Sequence, residues 1–208
     1  MPFGKRKQRP KFKPRPGPND RQLQEPAEER PRRPVDPERA RARTLQRAVK
    51  LLAAKPRSVE ELRGRLLDKG WADEAAVEAA IAKLKEYGYL DDEQFALGFA
   101  QARVRQKPVG RTRLARDLQT KKIDKELAAQ TLEKVFEETP ESALIDEAIE
   151  KRVRLRGRPS TRQETKSLFD HLLRRGFSYE LVISKVRALS SAPLDEEGAA
   201  DASNGAAE

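Results

Sequence analysis

The chain has 208 residues and a net charge of +10, from 44 Lys and Arg against 34 Asp and Glu. It has no cysteine and one histidine, which excludes a disulfide framework, a thiol nucleophile and a His-rich zinc site. No apolar run approaches the length of a membrane span, and the basic N-terminus lacks the apolar segment of a secretory signal, so we expect a cytoplasmic protein. The positive net charge favours an anionic partner, of which nucleic acid is the first candidate.

The two ends of the chain differ in composition from its middle. Residues 1–36 contain eight of the 14 prolines together with clusters of Lys and Arg, whereas residues 191–208 are small and acidic. Neither end carries enough apolar side chains to offset the entropy cost of ordering, so both are predicted to be disordered. The basic extension 1–36 has two open interpretations: a non-specific contact to nucleic acid, or a flexible solubilising arm.

Between the two ends, apolar residues recur with helical spacing and no alternating run of β-formers stands out. This pattern predicts an all-α protein. Start and stop signals divide the stretch into nine helices. The predicted helices cover residues 37–54, 58–69, 74–87, 92–106, 111–121, 125–138, 140–156, 161–175 and 179–190.

Several helix starts carry a recognisable capping pattern. Ser58-x-x-Glu61 and Thr161-x-x-Glu164 are predicted to be capping boxes. Thr139-Pro140 is predicted to be an N-cap followed by proline at the first helical position. Three glycines stand where helix ends favour a left-handed residue, namely Gly70, Gly88 and Gly176.

The chain contains an internal repeat. Leu62-x3-Leu66-x3-Gly70 aligns with Leu114-x3-Leu118-x3-Lys122 and with Leu168-x3-Leu172-x3-Gly176. Each repeat comprises three helices, so we predict three tandem three-helix repeats in an elongated, curved arrangement. The predicted units are residues 37–90, 91–138 and 139–190.

Two motifs carry a resemblance to a known family. They are Pro56-Arg57-Ser58-x2-Glu61-Leu62-x3-Leu66-x2-Lys69-Gly70 and Leu84-x2-Tyr87-Gly88-Tyr89-Leu90-Asp91-Asp92-x2-Phe95-Ala96. Over about residues 40–190 the chain resembles the RecX family of bacterial recombinase regulators. Lys121-Lys122-Ile123 departs from the Lys-Gly-Ile that the family often has, which places a lysine where a left-handed residue is expected.

The resemblance implies a regulator of RecA that is not an enzyme and needs no cofactor. Members of the family bind RecA and the RecA–single-stranded-DNA filament, typically along its helical groove. They limit strand exchange, ATP hydrolysis and the coprotease activity that drives the SOS response, in homologous recombination and DNA repair. Direct binding of single- or double-stranded DNA stays open as an additional property, and the lack of a long heptad seam favours a monomer.

Two runs of basic residues are the candidate binding surface. The first cluster is Arg103, Arg105, Lys107, Arg111, Arg113 and Arg116, and the second cluster is Lys151, Arg152, Arg154, Arg156, Arg158 and Arg162. Both straddle the turn between the first and second helices of a repeat, so stacked repeats would bring them to one side of the molecule. Such a strip suits phosphates or acidic protein grooves, although solvated helix faces have the same composition.

The main alternative is a helical module that binds DNA without RecA, which partner dependence would distinguish. An enzyme acting on DNA is the least supported function, because the acids do not cluster to hold Mg²⁺. No nucleotide-binding glycine motif is present either.

Five other residues invite a chemical role but have structural interpretations. Asp91 and Asp92 are predicted to cap and stabilise a helix N-terminus rather than hold a metal ion. Tyr87 and Tyr89 are predicted to pack between the first and second repeats, with base stacking as the alternative. His171 is predicted to be exposed and not catalytic, because no nearby Ser or Cys completes a nucleophilic pair.

Overall fold

The computed structural model describes residues 36–68 and 72–189. Over these ranges the chain forms nine α-helices and no strand, which confirms the predicted all-α fold. The two ends of the chain, together with Gly70 and Trp71, lie outside the described residues. The helices are α1 (Pro37–Ala54), α2 (Val59–Leu67), α3 (Glu74–Glu86), α4 (Asp92–Gln106), α5 (Arg111–Thr120), α6 (Lys125–Glu138), α7 (Glu141–Arg156), α8 (Arg162–Arg174) and α9 (Tyr179–Leu189).

The helices pack mainly in successive triplets. Contacts between helices are concentrated among α1, α2 and α3, then among α4, α5 and α6, and then among α7, α8 and α9. We call these triplets the first, second and third units. They confirm the predicted three-helix repeat, while the domain limits at residues 90 and 138 stay predictions.

The repeated leucines form the cores of the three units. All of them are at most 3 % exposed, namely Leu62, Leu66, Leu114, Leu118, Leu168 and Leu172. Complete burial of one such side chain contributes about 1.5–3 kcal/mol, so these positions account for much of the packing energy. The first unit has an apolar cluster of its own, whereas one continuous cluster runs through the second and third units.

Of the two predicted capping boxes, one is complete and the other is partial. The box at Thr161 and Glu164 is complete, because each side chain accepts a hydrogen bond from the other residue's backbone N–H. At Ser58 the side chain accepts from the Glu61 N–H, but the Glu61 carboxylate pairs with Arg57 instead of completing a box.

The predicted cap between the second and third units was wrong. Thr139 ends α6, with its N–H donating to the Val135 carbonyl, and Pro140 is the N-cap of α7. The helix therefore begins one residue later than expected. The Thr139 hydroxyl does not cap α7, because the N-cap position falls on Pro140.

Left-handed backbone occurs at two of the three predicted glycines and at Lys122. Gly88 and Gly176 have φ of 71° and 82°, and Lys122, which the repeat aligns with Gly176, has φ of 58°. Lys122 is the one non-glycine residue with positive φ in the part of the chain that the structure describes. A side chain there costs about 1–2 kcal/mol, so the departure at Lys122 is a point of local strain.

Consecutive units meet at equivalent positions of the repeat. In the first joint, between the first and second units, the N-cap Ser58 donates its Oγ–H to the Lys121 carbonyl, at 2.5 Å. In the second joint, between the second and third units, the N-cap Gly110 donates its backbone N–H to the Arg175 carbonyl, at 2.9 Å. The start of one unit's second helix thus rests on the end of the next unit's second helix.

A second hydrogen bond also recurs in both joints. The Val59 N–H donates to Oδ1 of Asp92 at 2.9 Å, and the Arg111 N–H donates to Oε1 of Glu141 at 2.9 Å. Each donor is the first residue of a second helix, and each acceptor is the first residue of the next unit's first helix. Carboxylates therefore satisfy helix N–H groups that would otherwise lack a partner.

Candidate functional site

The first basic cluster lies on the end of α4, the following turn and the start of α5. Asp117, the acid that closes this run of sequence, folds back onto it. One carboxylate oxygen accepts from Arg103 Nε at 2.8 Å, and the other forms an ion pair with Arg113 Nε at 3.2 Å. Two of the six predicted cations therefore share one carboxylate, and the excess charge of the cluster rests with the other four.

Those four side chains are exposed to solvent. Arg105 Nε donates to the Gln101 carbonyl at 3.3 Å, and the Arg111 guanidinium lies 5.1 Å from the Phe136 ring centroid. Lys107 and Arg116 are exposed and have no ion-pair partner among the described residues. Nothing within the described fold neutralises these four charges, so they remain available to an external anion.

The second basic cluster divides into two faces. Lys151 pairs with Glu147 and Arg154 pairs with Glu150, each one helical turn away along α7. Exposed pairs of this kind contribute at most about 1 kcal/mol. Arg162, at the start of α8, is also exposed.

The other face of the cluster lines a cleft between α7 and α8. Arg152, Arg156 and Arg158 surround this cleft, which has a volume of about 350 Å³. Arg152 is half-buried and donates from Nη2 to Ser167 Oγ at 2.9 Å. Burial, followed by the like charges of Arg156 and Arg174, lowers the pKa of Arg152 from its usual value.

The C-terminal turn of α8 links the two clusters. Arg175 donates from Nη1 to the Pro108 carbonyl in the first cluster at 2.8 Å, and from Nε to His171 Nε2 at 3.2 Å. Arg174 and Arg175 lie outside the predicted clusters, and the contact of Arg175 to Pro108, 67 residues away, has no local signal in the sequence. We call the two clusters together with Arg174 and Arg175 the basic surface.

His171 is half-buried, which corrects the expectation that it is exposed. Burial, and then the positive charges of Arg152, Arg175 and Arg174, lower its pKa to about 4. The imidazole is therefore neutral near pH 7, which agrees with its acceptance of a hydrogen bond from Arg175. The lowered pKa of His171 therefore reflects the positive field of the basic surface.

The tyrosines of the family motif are placed differently from the prediction. Tyr87 and Tyr89 are 55 % and 69 % exposed, so the expectation that they pack between the first and second units was wrong. The turn at Gly88 directs both rings outward, where they meet edge to face at 6.4 Å between centroids. Lys83 Nζ lies 5.7 Å from the Tyr87 ring centroid.

The remaining motif residues have structural roles. Leu90 is buried in the first unit, and Phe95 is half-buried and stacks on Phe99 with centroids 6.1 Å apart. Asp91 Oδ1 accepts from the Glu93 and Gln94 N–H groups, as predicted for an N-cap. Asp92 also accepts a hydrogen bond from the Val59 N–H of the first unit, a contact that was not predicted.

Neither a metal centre nor a membrane span emerges from the described residues. Over residues 36–68 and 72–189, His, Asp and Glu do not converge in a group that could hold a metal ion. Within the same ranges no helix is both long and apolar enough to cross a bilayer.

Comparisons with known proteins identify the family. Residues 45–92 match the family model of the RecX first three-helix domain, and residues 91–132 match that of the RecX second three-helix domain. The chain is 31 % identical over 150 residues to the regulatory protein RecX of Pelodictyon phaeoclathratiforme, an alignment that covers 72 % of this chain and 91 % of the relative. It is also 31 % identical over 140 residues to the regulatory protein RecX of Prosthecochloris aestuarii, covering 67 % and 89 % of the two chains.

A solved structure supports the same fold. The crystal structure of RecX from Lactobacillus salivarius superposes with a TM-score of 0.64 at 19 % sequence identity, covering 73 % of this chain and 97 % of that one. The likeness in fold, the two matching domains and the full-length relatives agree. The chain belongs to the RecX family of regulatory proteins.

Proposed function

We propose that the chain regulates RecA by binding RecA and the RecA–single-stranded-DNA filament through the basic surface. It acts as a cytoplasmic monomer, by binding and not by turnover. Membership of the RecX family supports RecA as the partner, and the positive charge of the surface supports contact with anionic groups of the filament. Binding restrains strand exchange, ATP hydrolysis and coprotease activity in DNA repair and the SOS response.

The observation that carries this proposal is the continuity of the basic surface. Arg175 of the third unit donates to the Pro108 carbonyl and to His171, whose pKa is lowered by burial and by nearby charges that include Arg152 and Arg156. An arginine of the third unit thus lies against the turn of the second unit that carries the first cluster. A filament offers phosphates and acidic side chains in a regular array, which an extended set of arginines can contact at several points.

Contact with neighbouring RecA subunits has two possible consequences for the filament. A molecule bound at the growing end would stop extension, and a molecule lying in the groove would exclude the partner DNA. Both mechanisms use the same basic surface, and both predict an effect at fewer than one molecule per RecA.

The primary experiment is an ATPase titration. RecA filaments are assembled on excess single-stranded DNA, and this protein is then added in increasing amounts. We expect inhibition well below one molecule per RecA, since simple competition for DNA could not achieve it. Unchanged ATPase activity at excess protein, together with tight binding to bare DNA, would instead favour the DNA-binding module.

A pair of charge variants tests the surface itself. Arg105→Glu with Arg116→Glu reverses two exposed charges of the first cluster without disturbing the ion pairs of Asp117. We expect the concentration needed for half-inhibition to rise about tenfold or more. Lys125→Glu with Lys134→Glu reverses two exposed charges on α6 and is the matched control, expected to act like the unaltered protein. Equal effects of the two variants would contradict the assignment of this surface.

A further inference from the structure

The cleft between α7 and α8 is distinct from the rest of the basic surface. It lies where α7 ends at Gly157, whose φ of 81° turns the chain toward α8. Arg156 and Arg158 flank that glycine, and Arg152 lies one helical turn earlier. The bend thus brings three guanidinium groups around one concave space.

The charges in this cleft do not balance. Its lining includes three arginines and one carboxylate, that of Glu164. Oε2 of Glu164 accepts from the N–H groups of Ser160 and Thr161, at 2.9 and 3.1 Å. Neither Arg156 nor Arg158 has an ion pair within the described part of the chain, and Arg174 adds a further positive charge nearby.

One guanidinium is already oriented. Arg152 donates from Nη2 to both Oγ and the carbonyl oxygen of Ser167, at 2.9 and 3.3 Å. These bonds fix the side chain at the cleft wall, so little conformational entropy is lost when an anion binds. The neighbouring like charges disfavour the empty arrangement, and a bound anion would relieve that repulsion.

Part of the cleft lining is apolar. Val153, Pro159 and Leu168 line it together with the arginines, so the space offers both cations and aliphatic groups. A tetrahedral phosphate accepts hydrogen bonds from several directions, whereas a planar carboxylate is largely satisfied by a single arginine fork. A sugar beside that phosphate would contact the aliphatic groups.

We propose that this cleft binds one nucleotide of single-stranded DNA, with its phosphodiester on Arg152, Arg156 and Arg158. The site belongs to the third unit alone and works on a bare strand. It is therefore independent of RecA, and the regulatory function proposed above can fail without removing it. An acidic protein segment is the competing occupant that the experiment must exclude.

Binding is measured first, by fluorescence anisotropy of a labelled oligothymidylate over a range of salt concentrations. Arg156→Gln with Arg158→Gln should weaken binding about tenfold and reduce the slope of log affinity against log salt by about 0.7, the value for the one phosphate that the cleft neutralises. Lys125→Gln with Lys134→Gln removes the same charge from α6, where both side chains are exposed and lie outside the basic surface. This control should change the affinity less than twofold. Equal losses in the two variants would overturn the proposal.

His171 provides a second readout that does not depend on affinity. It is the one histidine of the chain, and it faces Arg152 and Arg156 of α7 as well as Arg174 and Arg175 of its own helix. An anion among these arginines offsets their field, so the imidazole pKa measured by NMR should rise from about 4 when oligothymidylate saturates the protein.

The NMR titration also separates the two occupants. In Arg156→Gln with Arg158→Gln, addition of oligothymidylate should leave the His171 pKa nearly unchanged, because the bound phosphate is lost. An unchanged pKa in the unaltered protein at saturation would overturn the proposal. A rise produced by polyglutamate and not by oligothymidylate would also overturn it, in favour of an acidic protein partner.

Discussion

The two joints between units occupy equivalent positions of the repeat, yet they are built from different chemistry. Apart from the carboxylate that binds a helix N–H in each joint, the first joint uses a side-chain oxygen, that of Ser58. The second joint relies largely on the backbone, since the N–H groups of Gly110 and Thr112 donate to the carbonyls of Arg175 and Gly176. The two joints therefore lie at the same positions of the repeat but are formed by different atoms.

The apolar packing also differs between the two joints. The first unit encloses its own apolar cluster, whereas the second and third units share one. At the second joint two glycine turns lie so close that a Cβ on Gly110 would overlap the carbonyl of Gly176. At the first joint a Cβ on Gly64 would meet only the movable Lys122 ammonium, at 2.9 Å. The second joint thus tolerates less change than the first.

The largest expected effect comes from filling the second joint. Gly110→Ala should lower the free energy of unfolding by about 3 kcal/mol, because its Cβ has no room against backbone atoms. Its φ of −83° suits any residue, so the loss would be steric. Urea denaturation followed by circular dichroism measures it.

The matched variant in the first joint is Gly64→Ala. The Lys122 side chain can move aside, and alanine favours a helix interior over glycine by up to about 1 kcal/mol. We expect neutral or slightly increased stability. A loss as large as that of Gly110→Ala would end the distinction between a tolerant and an intolerant joint.

The next effect comes from removing the side-chain hydroxyl of the first joint. Ser58→Ala loses both the helix cap to the Glu61 N–H and the bond to the Lys121 carbonyl, at an expected cost of about 2 kcal/mol. Thr161→Ala removes a cap with no contact to another unit and should cost about 1 kcal/mol. Thermal unfolding measures the loss of stability in both variants, and the difference between the two losses gives the contribution of the bond between units. Equal losses would show that this bond does not contribute to stability.

Acidification should weaken the second joint more than the first. The unfolded chain protonates His171 near pH 6.5, whereas the folded chain does so near pH 4, so the unfolded state binds more protons between these values. The free energy of unfolding should fall by about 1 kcal/mol as the pH drops through this range, a modest figure because solvent screens the half-exposed ring. His171→Gln, measured by urea denaturation at each pH, should lack this part of the slope; an unaltered slope would contradict it.

The smallest effect is a gain at the first joint. Lys122→Gly should relieve the strain of φ 58° and raise the free energy of unfolding by about 0.5–1 kcal/mol. Lys121→Gly, at an ordinary φ of −83°, should lower it instead, and the pair can be compared by their melting temperatures. A loss at Lys122 would mean that the lysine side chain contributes more than its backbone costs.

Much of the fold could be predicted from local signals. Leucine spacing identified the core positions, and glycine placement identified the helix ends, because both depend on a few neighbouring residues. Thr139 misled the prediction because proline fixes a φ that suits the N-cap as well as the first helical position. Pattern alone cannot decide between those two registers.

The candidate site was less predictable, because its properties depend on contacts across the chain. The basic runs could be read from the sequence, but the capture of Arg103 and Arg113 by Asp117 could not. Arg175 gained its role from a contact 67 residues away. The tyrosines beside Gly88 were misplaced because the direction of a side chain after a left-handed turn is set by tertiary packing.

The capping box of the third unit distinguishes its second helix from that of the second unit. In the second unit, the N-cap N–H of the second helix, that of Gly110, donates to the Arg175 carbonyl of the following unit. In the third unit the N-cap N–H of the second helix, that of Thr161, donates instead to Oε2 of Glu164 in its own helix. This donor is therefore already satisfied within the third unit. A copy of the unit fused behind it could not dock by the bond that Gly110 makes until the bond to Glu164 was broken.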